Sequence, residues 1–357
     1  MSEQEIEIIL ENVKEFIEKE IIPYENKLEK EGIDNEIILK LAEKGYLGII
    51  LPEEKGGTGL NEFQYSLILR EFAKASPSVA VFLYLQNSVI IPLLLNSDTE
   101  LANRKLEEIL QGKIHGSLPL EDLTQYRRNY LEYHPEKRLL KGIKEFVLNS
   151  HANFLLALAS NGDILVFVEC DKLNKIENRR LGLRALHFSK FFIDTQLEEE
   201  QIIVRNSAKD KLATIYEESG LHIASVALGM SKETLFKAKE YSKKRKAFGK
   251  YLHEFQPIAF NISQIEIEIE AIESYLNQLI KTKNKTKALG AKLVSFELAR
   301  KVSKLALQIH GGYGYFEDFK IEKFYRDSMA LTVLFGNYLS DRTKISKYLI
   351  DQTSAEY

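Results

Sequence analysis

One cysteine, Cys170, occurs in 357 residues. A lone thiol excludes an internal disulfide, and CxxC-type metal and redox motifs are missing, so no metal-ligand set is expected. Charge of neither sign is in excess. Lys and Arg number 49 against 52 Asp and Glu, a net charge of −3, which attracts neither nucleic acid nor an anionic membrane. The start, Met1-Ser2-Glu3-Gln4-Glu5, lacks the basic segment and apolar core of a secretory signal. No run of apolar residues approaches the ~18 that span a bilayer. The phosphate loop GxxxxGK[ST] is also missing. These absences lead to the expectation of a globular protein in a reducing, cytoplasmic compartment, without membrane insertion or a nucleic-acid partner.

What is present reads in three textures. Residues 1–115 show helical spacing: Ile6, Ile9, Val13, Phe16 and Ile17 recur at three- and four-residue steps, and Pro23 should bend or interrupt the chain after them. Residues 62–74 and 78–94 resume that spacing, the second nearly continuous in apolar residues and suited to a buried helix. Between them and the first helices, Leu51 to Gly59 is dense in turn formers. Residues 116–205 carry short apolar runs, 154–159 and 164–168, joined by the hairpin signal Asn161-Gly162. They are expected to form a small β domain. Residues 206–357 are helical again. Ile265 to Glu270 alternates like a strand, but Ile262, Ile265, Ile269, Ile272, Leu276 and Leu279 hold a helical register too long for one. Lys281–Lys287 reads as a solvated loop. Helices, then strands, then helices, in blocks, argue an α+β fold.

Four stretches go beyond composition. Gly45-Tyr46-Leu47-Gly48 through Gly59, Gly182-Leu183-Arg184, Arg245-Lys246-Ala247-Phe248-Gly249 with Gln256, and Gln308-Ile309-His310-Gly311-Gly312 with Tyr325-Arg326-Asp327 after it occur in this order across the chain. Together they resemble the signatures of the acyl-CoA dehydrogenase family. The resemblance implies an N-terminal helical domain, a central β domain and a C-terminal four-helix bundle. It implies FAD between the last two and a homotetramer built as a dimer of dimers. It also implies an acyl-CoA substrate and an electron-transfer flavoprotein as electron acceptor.

Carried onto these residues, the resemblance makes Arg245 and Phe248 contacts of the FAD of a neighbouring subunit, Arg245 meeting its pyrophosphate with a guanidinium fork suited to phosphate oxygens. Phe248, three residues on, is expected on the same helix face. Gln256, Gln308 and Asn337 supply hydrogen bonds, and Gly311 and Gly312 let backbone approach the cofactor. Phe82, Tyr84 and Gln86 stand in the substrate-pocket wall. Simpler readings stay open: Lys243 to Lys246 as a solvated helix face, Gly311-Gly312 as a helix stop, and the residues around 79–88 as core.

The departures matter as much. The family removes the substrate α-proton with a glutamate in an E-G-T triplet; the matching triplet is Phe335-Gly336-Asn337, and phenylalanine accepts no proton. The alternative position that some members use, on an earlier helix ahead of the Gly-Met-Ser stretch, is Ser219, with Gly220 beside it. Glu218 is the neighbouring candidate base, although one helical step turns it by ~100°, and Glu217 and Glu218 also read as solvent-facing acids in a first helical turn. The Thr-Glu-Pro flavin-contact segment is replaced by Leu118 to Gln125, and Phe146, Leu148 and Leu339 stand at further family contact positions. Three functions remain: an acyl-CoA dehydrogenase-type flavoprotein using Glu218; a non-catalytic subunit of a heteromer that lends Arg245, Phe248 and Gln256 to a partner's FAD; or a flavin-dependent oxygenase of the same fold.

Overall fold

The computed structural model describes residues 3–97, 99–125, 129–282 and 285–353. Seven helices precede the sheet: α1 (Glu3–Glu20), α2 (Glu25–Glu31), α3 (Asn35–Glu43), α4 (Glu62–Ala75), α5 (Pro77–Tyr84), α6 (Ile91–Leu95) and α7 (Glu100–Leu110). Their starts are set by local chemistry. Asp34 accepts the Ile37 N–H ahead of α3 (3.0 Å). Asn61 and Gln64 form a capping box at α4, and Ser76 with Pro77 opens α5, satisfying N–H groups that a helix start leaves unpaired.

Between α5 and α6 the chain winds as a π-helix, Leu85–Ile90. Pro77–Leu95 is thereby one helical stretch, long and apolar enough by length and composition to cross a membrane. This corrects the expectation that no such run exists; Gln86, Asn87 and Ser88 interrupt it only in sequence. Its most apolar window is 89% buried inside the fold, the setting of a core helix.

The sheet holds β1 (Gly116–Pro119), β2 (Glu132–His134), β3 (Leu139–Leu148), β4 (Phe154–Ala159), β5 (Ile164–Glu169), β6 (Asn174–Glu177), β7 (Phe188–Gln196) and β8 (Ile202–Val204), with the short helix α8 (Leu120–Thr124) after β1. The order is β6-β7-β3-β1-β4-β5-β8, with β2 beside β3. Only the β1–β4 pair is parallel among the described strands. β4 is buried on both faces, and its alternation divides it between two cores. Phe154, Leu156 and Leu158 join the main core with the helices, while Leu155, Ala157 and Ala159 fill the interior of the β domain. Asn161 and Gly162 take the positive φ that the β4–β5 hairpin turn requires.

After the sheet come α9 (Ala208–Glu218), α10 (Gly220–Lys244), the two-strand hairpin β9 (Lys246–Ala247) and β10 (Lys250–Tyr251), then α11 (Gln256–Thr282), α12 (Lys285–His310), α13 (Ile321–Phe335) and α14 (Tyr338–Thr353). The long helices α10 to α13 form the C-terminal bundle. Of the loop expected over Lys281–Lys287, Lys281 and Thr282 end α11 and α12 begins at Lys285; Lys283 and Asn284 lie outside the described residues.

The bundle is locked onto the N-terminal helices and the sheet by close approaches. A Cβ on Gly229 would lie 2.3 Å from the Arg70 carbonyl oxygen, so α10 meets α4 backbone to backbone. Gly182 likewise abuts the Arg326 carbonyl. There the Leu183 N–H donates to Asp327 Oδ1 (2.6 Å), and Arg326 donates to the Leu181 carbonyl (3.1 Å). Two of the sequence motifs are thus one joint between the β domain and α13.

Candidate functional site

Phe335, the last residue of α13, is 1% exposed and meets the Tyr84 ring edge-on at 5.6 Å. Tyr84 Oη and Ser219 Oγ share a hydrogen bond of 3.0 Å. The triplet position, the pocket-wall tyrosine and the alternative base position are therefore brought together, and they fill the space between them with side chains. Burial raises the Tyr84 phenol above its ordinary value, so it stays neutral.

Behind Phe335 lies a buried ionic group that the sequence reading missed. Lys292 of α12 pairs with Asp341 of α14 (2.8 Å), both essentially inaccessible, and donates to Tyr216 Oη (2.5 Å). Tyr216 in turn donates to the Phe335 carbonyl (3.2 Å) and reaches Asp341 (3.1 Å). Burial pushes the Lys292 ammonium down to about 8. A signal was available: Lys292 sits between Leu289 and Phe296 on the apolar face of α12, where an unpaired ammonium is too costly to bury.

Asn337 is committed elsewhere. It donates to the Thr124 carbonyl of α8 (2.8 Å) and accepts the Ser340 N–H at the start of α14 (3.3 Å). Phe82 packs on His115 at 5.6 Å. Gln86 bonds the Gly116 carbonyl and N–H at 2.9 and 3.0 Å, tying the π-helix to β1. For these two the core reading holds: burial of an amide demands such partners.

Glu218 and Ser219 stand side by side at a helix junction, Ser219 buried and Glu218 exposed. α9 ends at Glu218 and α10 starts at Gly220, with Ser219 as the joint. The two acids thus close a helix rather than opening one. Glu217 pairs with Lys344 (2.6 Å), whereas Glu218 lines a cavity of about 360 Å3 together with Ser219, Ser88, His222 and Glu62. His222, Glu62 and Ser88 come from three separate helical segments, and no spacing in the sequence announces them.

At the far end of the bundle, Arg245 lines an open cleft of about 410 Å3 with Tyr241, His310, Gly311, Gly312 and Tyr313. Its guanidinium lies 5.9 Å from the Tyr313 ring centroid. Added Cβ atoms on Gly311 and Gly312 would meet nothing within 4 Å. A guanidinium fork beside bare backbone fits a phosphate-bearing group. Phe248 corrects the expectation of a shared helix face. α10 ends at Lys244, and Phe248 occupies the turn of the β9–β10 hairpin, with φ of 50° and 98% exposure. Gln256 and Gln308 are exposed and do not line the cleft. On the sheet side, Leu148 pairs with Leu118, both buried. Glu121 accepts the Glu145 and Phe146 N–H groups (2.8 and 3.1 Å). Asp122 is sealed against Lys144 (2.7 Å), its carboxyl raised to about 6 by burial. This segment spends its polar groups on the fold.

One titratable cluster lies apart. His151, Glu177 and His187 place one ligand atom each within 4.8 Å of one another. The two imidazoles are stacked at 3.5 Å and 13°, and nearly parallel ring planes do not converge on one ion.

Residues 3–113 match the family profile for the acyl-CoA dehydrogenase N-terminal domain, and residues 214–349 match that for its C-terminal domain. The chain is 28% identical to the caffeyl-CoA reductase-Etf complex subunit CarC of Acetobacterium woodii, over 94% of this chain and 96% of that protein. It is 27% identical to an acyl-CoA dehydrogenase of Bacillus subtilis, covering 98% and 99%. The structure of acyl-CoA dehydrogenase from Geobacillus kaustophilus superposes with a TM-score of 0.90 at 24% identity, covering 98% of each chain. With both domain profiles matched, the fold shared over nearly its whole length and the four motifs in place, this chain belongs to the acyl-CoA dehydrogenase family, whose members are FAD-dependent.

Proposed function

We propose that this protein is an acyl-CoA dehydrogenase-type oxidoreductase that forms the α,β double bond of an acyl-CoA thioester, with Glu218 as the acceptor of the α-proton. FAD, when bound, supplies the hydride acceptor. Arg245, at the other end of α10, would hold the pyrophosphate of the FAD of a neighbouring chain, and the bare backbone at Gly311 and Gly312 would admit it. The observation that supports this reading is the position of Glu218. It lines the 360 Å3 cavity that shares Ser219 with the Tyr84–Phe335 contact, so the carboxylate missing at 335 has a substitute at the neighbouring wall. By extension from the Acetobacterium woodii relative, a subunit of an Etf complex, an electron-transferring flavoprotein would take up the electrons.

The test is bleaching of the purified yellow protein by acyl-CoA under anaerobic conditions. Glu218→Gln should slow it by ~10²–10⁴-fold, the usual contribution of a placed base. Equal rates in parent and variant would remove Glu218 from the mechanism.

A second reading has its own support: Phe335 is fully buried, and Phe248 projects 98% exposed beside Arg245, suited to reach a neighbouring chain. In that reading the protein is a non-catalytic subunit serving the FAD of a catalytic homologue. A parent that is inert alone, unmoved by Phe335→Glu and active only when co-expressed with such a homologue, would select it.

A further inference from the structure

The wall of the Glu218 cavity carries a serine, a histidine and an acid in series. Ser88 Oγ lies 3.0 Å from His222 Nδ1, and His222 Nε2 pairs with the Glu62 carboxylate. All three residues line the cavity, and they come from the π-helical stretch, α10 and α4. The pairing fixes the hydrogens. An ionised carboxylate only accepts, so in the neutral imidazole Nε2 carries the hydrogen and Nδ1 is left as an acceptor. The Ser88 hydroxyl then donates to Nδ1. Tyr65 Oη stands 2.8 Å from Ser88 Oγ and 3.3 Å from the Leu83 carbonyl. Burial raises its phenol well above the ordinary value, so it stays protonated and donates to the serine. One lone pair of Ser88 Oγ is left for an incoming carbon.

A hydroxyl bonded to a neutral imidazole, itself oriented by a carboxylate, is the arrangement that activates serine for acyl transfer on unrelated folds. It is recognised by geometry and roles, not by chain order. The ring nitrogens are exchanged relative to the usual arrangement, which leaves the roles unchanged, because either nitrogen can carry the hydrogen. Beside the three residues, α10 starts at Gly220 without a side-chain cap. A helix start leaves N–H groups for an outside acceptor and favours negative charge there, as a developing oxyanion requires. Most of the remaining lining, including Ile50, Pro92, Ile215 and Ile280, is apolar and suits a hydrocarbon chain. Resting on the reading that an acyl thioester enters this cavity, we propose that the protein also hydrolyses it. Ser88 is the nucleophile, His222 the general base and Glu62 a positioning residue. Ser88 Oγ bonds to the thioester carbon while its proton passes to His222. The carbon–sulfur bond breaks, and His222 gives the proton to the departing CoA thiolate. Water then attacks the acyl-serine, its proton passing through His222 to Ser88 Oγ, and the carboxylic acid leaves. Nothing is oxidised or reduced, so this reaction needs no electron acceptor.

The experiment is thiol release from hexanoyl-CoA by the protein as purified, with no electron acceptor added and flavin bleaching recorded in parallel. Cys170, the single thiol of the chain, is buried, so release over many turnovers reports hydrolysis. Ser88→Ala should fall to the rate in buffer, and His222→Gln should lose ~10²–10⁴-fold. Glu62→Gln should shift the acid limb of the rate–pH profile to lower pH, since an amide no longer favours the imidazolium; a merely structural role would leave that limb in place. A fluorophosphonate probe should label Ser88 in the parent, located by peptide mass spectrometry, which requires no variant to fold. Thiol release no faster than in buffer, release unchanged in Ser88→Ala, or a probe that leaves Ser88 unmodified would overturn the assignment. Release without bleaching would leave it standing and count against the redox reading. Bleaching without release would do the reverse.

Discussion

Replacing Lys292 by methionine should destabilise the C-terminal helices severely while changing little of their volume. Lys292 and Asp341 are 1% and 0% exposed and 2.8 Å apart. Removing the ammonium leaves Asp341 buried with Tyr216 as its remaining side-chain partner among the described residues, and breaking one side of a buried pair costs ~3–5 kcal/mol. For a cooperative unit of about 150–250 residues, at ~2–4 °C per kcal/mol, the thermal midpoint should fall by roughly 6–20 °C. Circular dichroism melts read this directly. The double variant Lys292→Met with Asp341→Leu should recover most of the loss, because two apolar groups replace two buried charges. The pH dependence supplies a second reading. The folded ammonium titrates at about 8, against an ordinary value near 10.5. Between these the unfolded chain holds the proton longer, so this group contributes a rise in stability with pH across that window, by up to about 3 kcal/mol. The opposing contributions from Cys170 and Tyr46, raised to about 12 by burial, are equal in parent and variant. Below pH 8 the group adds no slope. Lys292→Met should abolish the rise. A variant within a degree of the parent, or one that keeps the alkaline rise, would refute the reasoning. The consequence reaches the site, because Tyr216 holds the Phe335 carbonyl.

Two further outcomes are expected on the same physical grounds. Arg245→Ala should release FAD, weakening it roughly 10- to 150-fold through loss of a charge-assisted contact; flavin absorbance retained through gel filtration at the parental level would remove Arg245 from the cofactor site. Burial holds the His115 imidazole down at about 4, whereas an unfolded histidine titrates near 6.5. His115 therefore costs stability progressively as pH falls from 6.5 to 4, by up to about 3 kcal/mol, and denaturant midpoints of His115→Gln should lack that fall. Asp122 and Asp327, raised to about 6 by burial, act oppositely, adding stability as pH falls from 6 towards 4. They act equally in parent and variant, so the difference isolates the histidine.

Much of the architecture was legible in the chain order of residue types. Helical spacing in Ile262 to Leu279 overrode a local strand-like alternation because a register held over several turns outweighs a short alternating pattern, and α11 runs through it. Asn161-Gly162 announced its hairpin because few residues accept a positive φ. The motif glycines were also informative, since Gly182 meets Arg326 where a side chain would clash. Phe248 was misplaced because a helical spacing was assumed to continue through a segment that turns as a hairpin. The stretch Pro77–Leu95 is longer and more apolar than the expectation allowed, and its three polar residues, Gln86, Asn87 and Ser88, are bonded within the core.

The sequence by itself determined the family resemblance, the three-part order and a phenylalanine at position 335, since each depends on residue identity at a position along one line. What only tertiary structure decided is what surrounds that phenylalanine. Tyr84, Ser219 and Phe335 converge from three helical segments. Glu218, at the junction of α9 and α10, is among the residues that line a cavity, and Glu62, Ser88 and His222, far apart in the chain, form one hydrogen-bonded wall. Such convergence has no linear signature. It is set by how helices pack and by the requirement that every polar group left inside find a partner.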